Sequence, residues 1–171
     1  MRTFHSVAEL ATAEGDDLGA SPWHDVTQHV IDLFAEATGD RQWIHTDPDR
    51  ARTGPFGGTI AHGYYLLSAL PTLLDQVFRT EGVGSVVNTG VDQLRFLRPV
   101  PVGSRIRATA RLDSVRVSRR GVADLAVAAT IEVEGTPGPA ATATLHSMVR
   151  PPRTPVSLTP QPIPATATPT P

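Results

Sequence analysis

Apolar and polar positions divide the chain into two parts with different periods. Between Gln28 and Ala37 the apolar residues Val30, Ile31, Phe34 and Ala37 recur with the spacing of one helical face. Thr27 offers an N-cap oxygen and Gly39 a left-handed stop, so a helix is predicted over residues 28–37. Asp47-Pro48-Asp49 opens a short second helix, with Asp47 as the cap and Pro48 at the first helical position. After the glycine-rich stretch from Thr53 to Thr59, a longer helix is predicted from about His62 to Phe78. Its residues Tyr64, Leu66, Leu67, Ala69, Leu70, Leu73, Leu74 and Val77 are apolar nearly all round, the mark of a buried helix. Pro71 removes a hydrogen bond inside it and is expected to kink it.

Beyond Ser85 the period becomes two. Ser85 to Phe96 is rich in Val and is interrupted by Gly90, and Arg105 to Leu112 alternates charged with apolar residues as a half-buried strand does. Val122 to Val133 and Ala140 to Val149 read as two more strands, separated by the turn Gly135-Thr-Pro-Gly138. Short connections between neighbouring strands predict an antiparallel sheet. A sheet of this kind beside one long buried helix predicts an α+β domain, the sheet wrapped around the helix.

Composition refines this picture at three points. With 171 residues and 40% hydrophobic content, the chain suits a single domain with a true core. From Pro151 to Pro171 it turns to Pro, Thr and Ala with few apolar residues, so the expected organisation is a domain over residues 1–150 and a disordered tail over 151–171. The absence of cysteine removes disulfides, thiolate metal sites and Cys nucleophiles. A net charge of -2 without a basic stripe speaks against nucleic acid as a partner. No signal-peptide core opens the chain, and its most apolar run, Ile60 to Leu70, is shorter than the about 20 residues a membrane span needs. The expectation is a cytoplasmic protein without a membrane partner.

Two polar clusters interrupt the apolar segments and carry the candidate chemistry. In Thr38-Gly-Asp-Arg-Gln-Trp-Ile-His45, a carboxylate and an imidazole follow the end of a helix. A turn after Gly39 can bring Asp40 and His45 to one side of the loop, where together they suit general acid–base work on a water. The same residues also suit ordinary loop and capping roles. In Gly57-Gly-Thr-Ile-Ala-His-Gly63, Gly63 stands where the long helix begins, and a helix N-terminus offers unpaired N–H groups to developing negative charge. The glycines also suit a plain tight turn. No His-x-His or His-Glu-x-x-His pattern occurs, and neither a phosphate loop nor a dinucleotide fingerprint is present, so no metal and no cofactor are expected.

Gly39-Asp40-x-x-x-x-His45, followed by Ala61-His62-Gly63 and an apolar helix, resembles the MaoC-like (R)-specific enoyl-CoA hydratases of the hotdog fold. The stretches Asp40 to Pro48, Gly54 to Gly63 and Arg95 to Arg105 are similar to the actinobacterial, nodulation-protein-N-like branch, and the resemblance spans most of residues 1–150. It implies hydration or dehydration of trans-2-enoyl thioesters, with Asp40 and His45 activating water and the Gly63 amide holding the thioester oxygen. It further implies an acyl-CoA or acyl-carrier-protein substrate and a homodimer. The wider family has Asn-Pro where this chain has Gln42-Trp43; Gln42 preserves the amide function, and Trp43 is expected to pack under the loop. Pro71 stands where many relatives carry a hydroxyl residue, which removes that auxiliary group. Gln42, His62 and Asn88 are the candidate substrate contacts. Carrier-protein dehydration and a non-catalytic hotdog subunit remain the alternatives.

Overall fold

A computed structural model describes residues 1–152 of the chain. The tail expected over 151–171 thus lies outside the described residues, apart from Pro151 and Pro152.

The strands of the second half form where period-two patterning predicts them. Strand β5 spans Ser85–Phe96, β6 Arg105–Val117, β7 Ala123–Val133 and β8 Pro139–Arg150. In β7 every odd residue from Ala123 to Val133 is buried, and the even ones are half-buried or exposed. In β6 the buried set is Ile106, Ala108, Ala110 and Leu112, then Val115. Parity changes there because a register shift between Leu112 and Ser114 inserts one residue, which turns Val115 inward in place of Ser114. Gly135 and Gly138 both adopt positive φ in the turn before β8, the conformation that turn requires.

The amino-terminal 25 residues were not foreseen as structured. They contain β1 (Arg2–Phe4), α1 (Val7–Ala11), β2 (Asp17–Ala20) and β3 (His24–Asp25). These pieces are too short to display a period, and tertiary pairing rather than local pattern stabilises them. Strands β2 and β3 both pair with β6, which extends the sheet to order β2-β6-β7-β8-β5, antiparallel throughout.

Helix α2 (Gln28–Thr38) starts at the predicted cap, where Thr27 Oγ1 accepts from the Val30 N–H. It ends at Gly39 with φ 79°, whose N–H donates to the Ala35 carbonyl. Its buried residues are Ile31 and Ala35, with Val30 and Phe34 half-buried; Ala37, expected in the stripe, is exposed. Two single-turn helices follow, α3 (Trp43–Thr46) and α4 (Pro48–Ala51), the second capped by Asp47 as predicted.

The long helix, α5, spans Gly63–Asp75 and stops short of Phe78. Phe78–Thr80 is instead a strand, β4, running parallel to β1. Nor is α5 buried all round. Leu66, Leu70, Leu73 and Leu74 enter the core, while Tyr64, Ser68, Pro71, Thr72 and Asp75 form an exposed stripe. Pro71 lies on that stripe, where water can satisfy the carbonyl left without its N–H partner, and the helix continues through it. The leucines of α5 share one core with the small residues Ala108, Ala110, Ala129, Ala141 and Ala143 of the sheet. Alanines let the helix approach the sheet closely and let its leucines fill the space between. No helix among the described residues is long and apolar enough to cross a membrane.

Candidate active site

Three short segments build the site, and each is held by main-chain bonds. The loop after α2 carries Asp40, whose N–H reaches only the Thr38 hydroxyl among the described residues, at 3.4 Å. Helix α3 carries His45. The segment Thr59–Ala61 runs between α3 and the turn at 100–102: the Ile60 N–H donates to Ile44, the Ala61 N–H to Val100, and the Val102 N–H to Thr59. The Ile60 carbonyl then accepts from His45 Nδ1 at 2.7 Å. A carbonyl only accepts, so Nδ1 carries the hydrogen and, in the neutral ring, Nε2 is left bare.

Gln28 locks this arrangement and was not singled out from the sequence. Its amide nitrogen donates to the His45 carbonyl at 2.7 Å, and its amide oxygen accepts from the Thr59 hydroxyl at 2.6 Å. One side chain on α2 thereby spans both sides of the His45–Ile60 contact. A glutamine one residue past an N-cap carries no local signal for this role; only the meeting of three segments reveals it.

His45 is 6% exposed and His62 2% exposed, and their rings stack with centroids 3.8 Å apart and planes 26° from parallel. His62 was expected to contact substrate. Instead it is enclosed: its Nε2 hydrogen-bonds the Asp40 main-chain carbonyl at 2.9 Å, and Phe34 packs against it at 5.0 Å. Potential ligand atoms of Asp40, His45 and His62 all lie within 4.8 Å of one another. By distance such a trio can hold a cation, a juxtaposition invisible in the sequence spacing. Stacked rings, however, keep their in-plane lone pairs in two near-parallel planes, and one nitrogen of each ring is already committed to a main-chain carbonyl. The arrangement is better suited to holding a water between carboxylate and imidazole. Two hydrogen bonds of about 2.8 Å meeting at one water oxygen span about 4.5 Å.

Burial pushes the His45 pKa below the ordinary histidine value; His62 lowers it further, while the Ile60 carbonyl and Asp40 oppose the shift. The imidazole is therefore held neutral, with a basic Nε2, at pH values where a free histidine would charge.

Gly63 is the first residue of α5, and no acceptor within the described chain takes its N–H. A Cβ at this position would lie 2.8 Å from the Phe96 ring, so glycine is required by packing as well as by position. Gln42 precedes α3 as its N-cap; its side chain is exposed and makes no hydrogen bond among the described residues, and its carbonyl accepts from the His45 N–H at 2.9 Å. Trp43 is half-buried, with Gly54 against one part of its ring and the Arg50 guanidinium 4.3 Å from its centroid. Asn88 is not brought to this cluster by any hydrogen bond among the described residues; it lies on β5, the outer strand of the sheet, opposite Ser147 of β8. Arg105 and Arg107, on β6, are committed to Glu134 and Glu132.

The MaoC-like domain family model matches residues 9–134. The chain is 51% identical over 150 residues to 3-hydroxyacyl-thioester dehydratase Z of Mycobacterium tuberculosis, covering 88% of this chain and 98% of that protein. It is 39% identical to nodulation protein N of Rhizobium meliloti, over 81% of this chain and 87% of the relative. Among solved structures, the (R)-hydratase of A. caviae involved in PHA biosynthesis superposes with a TM-score of 0.59 at 26% identity, covering 81% of this chain and 96% of that one. The family match over residues 9–134 and the relative at 51% identity place the chain in the MaoC-like domain family, and its antiparallel sheet with a central helix agrees with the hotdog fold of the solved hydratase.

Proposed function

We propose that the protein interconverts trans-2-enoyl and (R)-3-hydroxyacyl thioesters by adding or removing water. The observation that carries this reading is the approach of the Asp40 carboxylate to the imidazole of His45, within 4.8 Å; Gly63 directly follows His62, the third member of that cluster, and no acceptor among the described residues takes its N–H. The relative at 51% identity, a 3-hydroxyacyl-thioester dehydratase by name, supports the same reaction class. In hydration, one water is held between Asp40 and the bare Nε2 of His45. His45 takes a proton as the hydroxyl bonds to C3. The electron pair of the double bond moves toward the thioester oxygen, which accepts the Gly63 N–H. The imidazolium then returns the proton to C2, and the residues end as they began. Asp40 accepts the second O–H of the water and orients it, and the unengaged Gln42 amide is available to the substrate. Coenzyme A and an acyl carrier protein both fit this chemistry as the thioester's carrier.

The test is the purified chain with enoyl-CoAs and enoyl carrier-protein thioesters of graded length. The expected result is loss of the conjugated enoyl absorbance, an (R)-3-hydroxy product and no released thiol. Thiol release without hydration would overturn the reading in favour of a thioesterase.

The pH profile supplies a second test. Turnover needs His45 neutral, and burial lowers its pKa, so the neutral ring persists below the ordinary histidine range. The acid limb of kcat/KM is expected there, and a limb at the ordinary histidine value would argue that His45 is not the base. The sign for stability is the same. In that window the unfolded chain binds the proton and the folded one does not, so stability rises with pH.

We also infer that two copies associate along β5. This outer strand of 12 residues exposes Val86, Val87, Val91 and Phe96 by 58%, 44%, 41% and 43%. Its unpaired edge is suited to another strand. Sedimentation is expected to give the mass of two copies, and a monomer at micromolar concentration would overturn the inference.

A further inference from the structure

His62 is a buried histidine to which the reaction above assigns no proton, and its surroundings point to a different task. It is 2% exposed and lies between Phe34 of α2 and His45 of α3, while standing at the N-cap of α5. Its one polar bond runs from Nε2 to the Asp40 carbonyl, across 22 residues of sequence. With the hydrogen on Nε2, Nδ1 is a bare acceptor, and among the described residues it is buried without a partner. A phenylalanine would fill the same space without that orphaned atom. What an apolar ring lacks is the N–H directed at Asp40.

We propose that His62 is a positioning residue, whose Nε2–H fixes the Asp40 main chain while its ring face fixes the His45 imidazole, so that carboxylate and imidazole meet one water as a unit. The need is visible in the loop itself. Asp40 follows the left-handed Gly39, and its own N–H makes one long bond to Thr38. Without His62, the Asp40 main chain would have no bond to α5. Because Gly63 follows directly, one N-terminal turn holds the amide for the thioester oxygen and the donor for Asp40 together. The stack also bears on charge. Two imidazolium rings 3.8 Å apart repel, so His62 helps keep His45 neutral; the titratable groups acting on His45 are His62 and Asp40. This proposal rests on the Asp40–His45 reading above.

Two substitutions separate its parts. His62→Phe keeps a ring and burial but has no donor; His62→Gln keeps a donor that reaches as Nε2 does but has no ring. In His62→Phe, kcat is expected to fall about 10- to 100-fold with KM little changed, the penalty of a misplaced catalytic group. His62→Gln should recover much of that loss. In both variants the NMR titration midpoint of the His45 ring should move up, since the neighbour that lowers it is gone. Wild-type kcat in His62→Phe with an unmoved His45 midpoint would overturn the proposal, as would equal loss of kcat in both variants with no change in midpoint. Should His62→Phe not fold, an unmoved midpoint in His62→Gln is itself the overturning result. The NMR titration uses no substrate, so it reads the contact with His45 even if the wild-type chain hydrates nothing. An inactive wild type therefore counts against the proposed reaction, and a static midpoint counts against His62.

Discussion

Replacing His45 by alanine is expected to lower kcat for enoyl-thioester hydration by about a thousandfold, with Asp40→Asn falling in the same range. His45 Nδ1 is spent on the Ile60 carbonyl, so its only basic nitrogen is Nε2, and among the described residues no other imidazole with a free nitrogen joins Asp40 there except the enclosed His62. Alanine removes the base and leaves water without a proton acceptor of suitable pKa. Asp40→Asn keeps shape and main chain but replaces an acceptor-only carboxylate with an amide, which weakens the hold on the water's second O–H. Steady-state rates with a short enoyl-CoA, together with thermal unfolding to show intact folding, check both. Asp40 is exposed, so its substitution should leave stability nearly unchanged. Near-normal turnover in either folded variant would sink the acid–base pair.

The second large effect is on the core. Leu70→Ala is expected to cost about 2–5 kcal/mol, because it removes buried methyl groups and leaves a cavity that the surroundings only partly fill. Leu70 is 2% exposed and sits mid-way along α5, in the same cluster as Leu66, Leu73 and the sheet alanines. Alanines on the facing strands are too small to collapse into the gap, which favours the upper part of that range. For a domain of this size the loss corresponds to a drop in Tm of about 5–15 °C. Calorimetry or thermal circular dichroism measures it, and a drop under about 2 °C would mean α5 is held chiefly by something other than its leucine face. Pro71, one residue on, gives an internal comparison. Being exposed, it should tolerate alanine with little change and could gain from the restored helical N–H.

Where period and capping are local, residue pattern and structure agree closely. Thr27 and Gly39 delimit α2, Asp47 caps α4, and alternation in β7 runs unbroken from Ala123 to Val133. The overextended helix prediction shows the limit. Val77 and Phe78 continue an apolar run, but both are apolar for a different reason: Val77 enters the core after the helix has ended, and Phe78 pairs with β1. An apolar run alone does not say which element it belongs to. The apparent all-round apolarity of α5 failed likewise, since Tyr64 is 66% exposed and joins Phe96 on the surface.

For the site, the five-residue step from Asp40 to His45 and the start of a helix at Gly63 were legible, because each depends on chain neighbours. The tautomer of His45 was not, since it is decided by the carbonyl of Ile60, 15 residues away. Nor were the roles of Gln28 and His62, which exist only where α2, α3 and the Thr59–Ala61 segment meet. The amino-acid sequence by itself thus determined the caps, the strand alternation and the candidate pair, all set by backbone preference and side-chain spacing over a few residues. The tertiary structure alone decided which nitrogen of His45 is free, what holds Asp40 and which strand is left open. Those outcomes depend on burial and hydrogen-bond partners supplied by segments distant in the chain.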